Sequence, residues 1–324
     1  MLKLEQNGWH GFLNVDKPQG MTSHDVVAKI RRQLPKKTKV GHTGTLDPDA
    51  TGVLPICIGK ATRLAEYFHA FPKCYWGEMT LGKTTDSQDS SGQVLSVAPA
   101  EQVAALTLSD LEEILPEFLG EIQQVPPMVS AIKINGKKLY ELARQGQEVE
   151  RPARTVTIFD LTVLQSDFTL PNPKITLAIT CSSGTYIRTL FHDLGQRLGV
   201  GAYLSRLSRQ AVGKFHLAEA WPLAELEEKL AQKEPVPLLP LHLAVSHLPK
   251  IELQTEKQCA AVLHGRYLSL PQAEPQAQEQ QVWFQDTLLG IGKVSLQILE
   301  GQEMPILQMR KVLAAEKLET CAKS

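Results

Sequence analysis

The twelve residues from Gly41 to Gly52, Gly-His-Thr-Gly-Thr-Leu-Asp-Pro-Asp-Ala-Thr-Gly, constrain this chain more than any other stretch, because they fit neither the helical nor the strand period. Glycines admit positive φ and let a ligand approach the backbone. Pro48 sets the chain direction after Asp47 and removes one N–H. Such a loop can hold one carboxylate at a defined place. Its residues also fit a surface turn in which Asp47 or Asp49 makes an Asx-turn. Regular elements precede it. Gly11 to Val15 reads as a short strand, and Thr22 or Ser23 caps a helix with Asp25 in its first turn. Val26, Val27, Ile30 and Leu34 form the apolar face of that helix, and Pro35 ends it.

Downstream, Lys60 to His69 reads as helix and Tyr75 to Leu81 as strand. Residues 101–121 read as an acidic amphipathic helix region, with six acids and no base. Ile175, Leu177, Ile179 and Cys181 alternate as in a half-buried strand. A helix follows from about Thr185, with Ile187, Leu190, Phe191, Leu194 and Leu198 on one stripe, closed by Gly199 and Gly201. Strands and helices alternate irregularly, which implies a mixed α/β or α+β sheet domain. Acids and prolines gather over residues 219–249, which reads as a boundary or linker. Beyond it lie short apolar runs at Ala260–Leu263, Val282–Phe284, Leu288–Ile291 and Ile306–Met309, with a Gln/Glu/Pro-rich loop at Pro271–Gln281. They read as a small β-rich domain of about 65 residues. The chain then divides into domains at 1–245 and 250–315, with the last dozen residues a frayed helix or tail.

With 34 Lys+Arg against 35 Asp+Glu, the net charge is −1, which by itself speaks against a nucleic-acid partner. The charges are segregated, however. Lys29, Arg31, Arg32, Lys36, Lys37 and Lys39 form one acid-free stripe. Lys174, Arg188, Arg197, Arg206, Arg209 and Lys214 form another, broken only by Asp193. Basic stripes suit a phosphate backbone, although a charge run is more often a solvated face. Five scattered cysteines without CxxC spacing fit neither a disulfide framework nor a zinc site, and point to a reducing compartment. The N-terminus has no apolar signal-peptide core, and the longest uncharged stretch, Pro235 to Pro249, is too short to span a bilayer. Together these features read as a cytoplasmic protein.

A second chemical candidate is Cys181 to Leu190, where a strand meets a helix N-terminus and free N–H groups favour anions. Arg188 falls in the first turn, off the apolar stripe and against the helix dipole. A cation placed there answers an anion elsewhere, unless it is simply solvated; Tyr186 could equally be a core residue. A Walker loop is excluded, since Gly59-Lys60 is preceded at that spacing by Leu54 and followed by Ala61. An EF-hand lacks its acidic ladder and closing Glu. A two-carboxylate glycosidase is not identifiable from spacing.

The ordered motifs carry a resemblance. Asn14-Val15-Asp16-Lys17-Pro18-x-Gly20-Met21-Thr22-Ser23 precedes Gly41-His42-Thr43-Gly44-x-Leu46-Asp47-Pro48-x-Ala50-Thr51-Gly52. Then come Tyr75, Gly82-Lys83-Thr84-Thr85-Asp86-x-x-Asp89 and Gln124-Val125-Pro126-Pro127-x-x-Ser130-Ala131-Ile132-Lys133. Leu139-Tyr140-Glu141-Leu142-Ala143-Arg144-x-Gly146 and Gly184-Thr185-Tyr186-Ile187-Arg188 complete the set. Over residues 11–215 this series resembles the TruB family of tRNA pseudouridine synthases. The resemblance implies a catalytic domain with a mixed, mostly antiparallel sheet and a PUA-like RNA-binding domain over about 250–315. It implies isomerisation of one tRNA uridine, position 55 of the TΨC arm, to pseudouridine. Asp47 becomes the essential carboxylate, Tyr75 the residue that stacks on the base and takes part in proton transfer, and Arg188 the partner of Asp47. His42 is similar to the residue that enters the RNA loop. Lys17, Asp89 and Tyr186 line or support the pocket. Uracil is detached from C1′, turned and rejoined through C5, so no cofactor, metal or energy source is implied. The bacterial-type motif series also implies action without a guide RNA, and since nothing in the sequence demands an oligomer, a monomer is expected. A covalent ester and a glycal route both stay open. One departure stands out: family members commonly carry a Leu-Arg-Arg run where this chain reads Tyr203-Leu204-Ser205-Arg206-Leu207-Ser208-Arg209. Two other classes remain in view. One is a non-catalytic RNA-binding module, which would not need Asp47, Tyr75 and Arg188 together. The other is a carboxylate hydrolase, which would need a second catalytic acid.

Overall fold

A computed structural model of the chain describes residues 9–314 except 129, 131, 132, 135, 140, 141, 143–146, 148, 170, 277, 300 and 301. The motif positions Ala131, Ile132, Tyr140, Glu141, Ala143, Arg144 and Gly146 therefore lie outside the described residues, as does the tail from 315. In chain order the elements of the large sheet begin with β1 (Gly11–Lys17), α1 (Ser23–Gln33), β2 (Val40–His42) and β3 (Thr51–Ile58). A 3₁₀ helix (Gly59–Ala70) leads to β4 (Lys73–Leu81). Next come a small hairpin, β5 (Lys83–Thr85) and β6 (Val94–Val97), and two short helices, α2 (Ala100–Ala104) and α3 (Leu108–Ile114). After β7 (Gly120–Gln124) a second small hairpin pairs β8 (Lys133–Ile134) with β9 (Lys137–Lys138). The series continues with β10 (Arg154–Asp167), β11 (Lys174–Cys181), α4 (Ile187–Arg197) and β12 (Ala202–Val212). It closes with β13 (Phe215–His216), β14 (Trp221–Pro222) and α5 (Leu223–Ala231).

Ten strands form one sheet in the order β14-β1-β3-β12-β4-β11-β10-β7, with β13 on β12 and β2 on β3. Among the described residues only β1–β14 and β3–β12 pair in parallel within it, so the sheet is mixed and mostly antiparallel, as expected. Strand β11 alternates between buried and half-open positions, so one row, Ile175 to Cys181, faces the core. Helix α1 starts where its sequence indicates. Thr22 and Asp25 form a reciprocal capping box, and Val26, Val27 and Ile30 turn inward. Helix α4 seats Leu190, Phe191 and Leu194 on β4 and β12. Gly77 leaves room for the Phe191 ring, because a Cβ there would lie 2.8 Å from it.

Several expectations are corrected. The helix read from Lys60 to His69 is a 3₁₀ helix. The acidic region 101–121 is not one helix: a new capping box at Thr107 restarts the chain as α3, a 3₁₀ turn (Leu115–Phe118) follows, and β7 begins at Gly120. Helix α4 begins at Ile187 rather than Thr185, with Tyr186 in extended conformation as its N-cap. Segment 219–249 is no linker. Strand β14 adds an edge to β1, and Leu223, Leu226 and Leu230 of α5 join the main core. Three of the acids that suggested a linker, Glu225, Glu227 and Glu228, lie on α5 off its buried leucine face, and Glu227 pairs with Lys29 of α1 at 2.9 Å.

A five-stranded sheet follows, in the order β15-β17-β18-β19-β16. Its strands are β15 (Lys250–Leu253), β16 (Leu268–Ser269), β17 (Gln280–Phe284), β18 (Thr287–Leu299) and β19 (Gln302–Val312). The apolar run Ala260–Leu263 is not a strand but the end of helix α6 (Glu256–Leu263), capped by Thr255 and Gln258. Ile291 and Leu313 of this unit share a core with Phe68 and Phe71 at the end of the 3₁₀ helix. Among the described residues no helix is long and apolar enough to cross a membrane. If 223–231 is structural, Leu226→Ala should lower unfolding free energy by about 2–5 kcal/mol in urea denaturation, where a linker residue would change nothing measurable.

Candidate active site

The loop between β2 and β3 is fastened on both sides of Asp47. Ser23 Oγ accepts from the Leu46 N–H at 2.8 Å and donates to the Leu46 carbonyl at 3.1 Å. Lys17 Nζ donates to the carbonyls of Pro18, Met21 and Pro48 at 2.9, 2.6 and 3.0 Å. The Gly20 N–H also reaches the Pro48 carbonyl, at 2.9 Å. Leu46 and Ala50 are buried as apolar anchors. Lys17 is fully buried, and burial lowers its pKa to about 8, with Asp47 and Asp49 pulling it back up. It supports the loop from beneath.

Asp47 makes no Asx-turn with its side chain. Its Oδ2 lies 3.1 Å from Arg188 Nε and its Oδ1 3.5 Å from Nη2, so the carboxylate meets the guanidinium side-on. Arg188 is 3% exposed, and its Nη1 donates to Asp89 Oδ2 and to the Ser87 carbonyl, both at 3.2 Å. Asp89 is held in turn: its Oδ1 accepts from Ser87 Oγ, Ser91 Oγ and the Ser91 N–H at 2.6, 2.6 and 3.0 Å. Within this turn Gln88 has φ +63°, and its side-chain oxygen accepts from Thr189 Oγ1 at 2.8 Å. With its side chain 43% open on the recess, Asp47 is a solvent-reachable acid that Arg188 holds. Desolvation raises its pKa above the ordinary 3.8, Arg188 and Lys17 oppose that, and Asp89 and Asp49 add to it. The recess has a volume of about 270 Å³, and Asp47, Asp89, Arg188, Leu204, Arg206 and Leu207 line it.

Tyr75 lies in β4 opposite Ile179 and Arg209, buried to 7% exposure, and that burial raises its pKa. Tyr186 is placed through its backbone. Its N–H donates to Gln124 Oε1 at 3.0 Å and its carbonyl accepts from Gln124 Nε2 at 3.2 Å. Burial raises the Tyr186 pKa, with Arg188 opposing. Asp47, Arg188, Asp89, Lys17, Tyr75 and Tyr186 therefore form one electrostatic neighbourhood. His42 stands apart from it. At the end of β2 it pairs with Ile56 of β3, and among the described residues its buried Nδ1 has no hydrogen-bond partner. Burial, Arg209 and His24 lower its pKa.

Sequence reasoning assigned no role to Gln124, Leu204 or Leu207. Gln124 sat inside a quoted motif, but its clamp on Tyr186 spans 62 residues of chain. The second basic stripe is also corrected. Arg188 and Arg209 are internal, Lys174 lies 3.5 Å from Glu78, and Arg197 grips Glu117 at 2.6 and 2.8 Å. Only Arg206, on the recess, and Lys214 remain exposed without such pairing among the described residues.

Comparisons with known proteins identify the family of the chain. Residues 31–187 match the family model "TruB family pseudouridylate synthase (N terminal domain)", and residues 188–244 match "tRNA pseudouridylate synthase B C-terminal domain". The tRNA pseudouridine synthase B of Symbiobacterium thermophilum is 52% identical over 256 residues, 79% of this chain and 82% of that one. That of Heliobacterium mobile is 45% identical over 304 residues, 94% of each. Among solved structures, one described as an H/ACA RNP bound to a substrate RNA containing 2′-deoxyuridine is similar at 26% identity with a TM-score of 0.69. That match covers 95% of this chain and 86% of the solved one.

Two outcomes follow for the ion pair. Arg188→Lys keeps the charge but loses the side-on fork, so turnover should fall roughly a hundredfold in a steady-state assay. Activity should also fall as pH drops through the Asp47 pKa, which lies above 3.8, and Arg188→Met should move that acid limb to higher pH.

Proposed function

The chain belongs to the TruB family of tRNA pseudouridine synthases, and we propose that it converts the uridine at position 55 of the tRNA TΨC arm to pseudouridine. The reading is carried by one observation: a solvent-reachable Asp47 held side-on by a buried Arg188, with Tyr75 within electrostatic reach of the carboxylate. The N1–C1′ bond breaks, uracil turns within the pocket, and C5 bonds to C1′. The proton on C5 is lost and N1 gains one, so nothing is oxidised or consumed. Asp47 serves C1′ as a nucleophile through a covalent ester, or removes a C2′ proton on a glycal route. In both, it must be ionised when the base covers it, and Arg188 keeps it so against desolvation. Tyr75 offers a π face to the uracil and a hydroxyl for proton transfer. Asp89 and Lys17 act behind these groups, Asp89 on Arg188 and Lys17 on the loop backbone.

A uridine inside a stem cannot reach this recess, so the target is splayed out of the stack, and a loop base is the accessible kind. His42 enters the RNA loop from the N-terminal limb of the catalytic loop, and Tyr186 lines the pocket. Residues 250–315 act as the PUA-like RNA-binding unit. The protein works as a monomer in the cytoplasm without a guide RNA; that its bacterial relatives are tRNA pseudouridine synthases supports tRNA as the substrate.

Pseudouridine mapping of an unmodified TΨC stem-loop and of whole tRNA tests the reading. Wild-type protein should modify position 55 alone. Asp47→Asn should lose at least about a thousandfold in rate while binding tRNA and melting no lower than wild type. The stability sign follows from its raised pKa: the ionised form is disfavoured by folding, so removing the charge does not destabilise the fold at neutral pH. A folded, active Asp47→Asn overturns the assignment. Replacing the exposed Lys36, Lys37 and Lys39 with Ala should weaken tRNA binding and flatten its salt dependence in titrations at several ionic strengths, and charge changes at Glu225 and Glu228 should not.

A further inference from the structure

Arg209, read from sequence as part of a basic stripe, is the largest fully buried side chain among the described residues, at 1% exposure. Its Nε donates to the Val53 carbonyl at 2.7 Å and its Nη2 to the Gly44 carbonyl at 3.0 Å. Among the described residues no carboxylate forms an ion pair with it. A guanidinium taken out of water without a counter-ion is unfavourable, so its contacts need a reason.

Those contacts converge on the catalytic groups. Gly44 lies three residues before Asp47. Gly52, at the other end of the loop with φ +99°, is pressed against the Arg209 backbone, where a Cβ would sit 2.8 Å from the Arg209 nitrogen. Arg209 is also the direct cross-strand partner of Tyr75, so the two side chains share one face of the sheet. One residue thus touches both limbs of the Asp47 loop and the strand position of Tyr75.

We propose that Arg209 is a positioning residue for pseudouridine formation, fixing Tyr75 relative to the Asp47 loop so that both meet the same splayed uridine. Its positive charge also counters the rise that burial imposes on the Tyr75 pKa. The inference rests on the roles given above to Asp47 and Tyr75.

The test is a double-mutant cycle. Arg209→Lys is introduced into wild type and into the Y75F background, and single-turnover pseudouridine formation is followed long enough to resolve residual rates. Affinity for tRNA and thermal melting are measured alongside. Arg209→Lys should slow single turnover roughly 10- to 100-fold, with tRNA affinity within about threefold of wild type and a cooperative melt. In Y75F the same change should slow the reaction several-fold less, because the partner it positions is already impaired. Equal losses in both backgrounds, full activity, or weakened tRNA binding with an intact rate would each overturn the proposal. So would a melt that is no longer cooperative in Arg209→Lys and in Arg209→Gln alike, which would assign the residue to folding alone. Wild-type turnover reports on the reaction itself, so additive losses beside an active wild type defeat the Arg209 inference and leave the function reading standing.

Discussion

A carboxylate that must remain ionised while an aromatic base covers it needs a cation that cannot drift away. In the mechanism proposed above that cation is Arg188, and its hydrogen-bond partners hold it in place. A base in the first turn of a helix works against the helix dipole. Here the opposition is offset by Asp47, Asp89 and the Ser87 carbonyl, which between them meet several of the guanidinium donors. The helix cannot roll to relieve the pair, since Leu190, Phe191 and Leu194 are locked into the core on the same turns. Asp89 is itself fixed by two serine hydroxyls and a backbone N–H, so the constraint runs from Asp47 to a surface turn without a loose link.

The second half of the pair needs an equally fixed loop, and glycine-rich loops are not fixed by their own propensity. This one borrows rigidity from buried side chains that capture its carbonyls: Ser23 at Leu46, Lys17 at Pro48 and Arg209 at Gly44. Two of the three are cations removed from water, an arrangement that a chain selected for stability alone would not keep. The price is accepted where a carboxylate lines a recess on a backbone held by hydrogen bonds.

Much of this was legible locally. Capping residues, the apolar stripes of α1 and α4 and the alternation of β11 were readable, because each depends on neighbours within a few residues. Arg188 was readable only as one of two things, an answer to a distant anion or a solvated base, because its place against the helix dipole did not decide between them. Acidic residues misled over 219–249, since charge composition averages over a helix whose inner face is Leu223, Leu226 and Leu230. They misled again over 101–121, where the cap at Thr107 mattered more than the common sign of charge.

By itself the sequence determined the elements and the chemical types: a loop able to present one acid, a tyrosine in a strand, an arginine at a helix start. Periodicity and capping are short-range, so the order of residues is enough to specify them. Tertiary structure alone decided which bases are surface and which are machinery. Arg188 meets Asp47 across 141 residues and Arg209 meets Gly44 across 165. Those meetings exist because β3, β12 and β4 lie side by side in the sheet, an adjacency set by the packing of the whole core and invisible in any window of the chain.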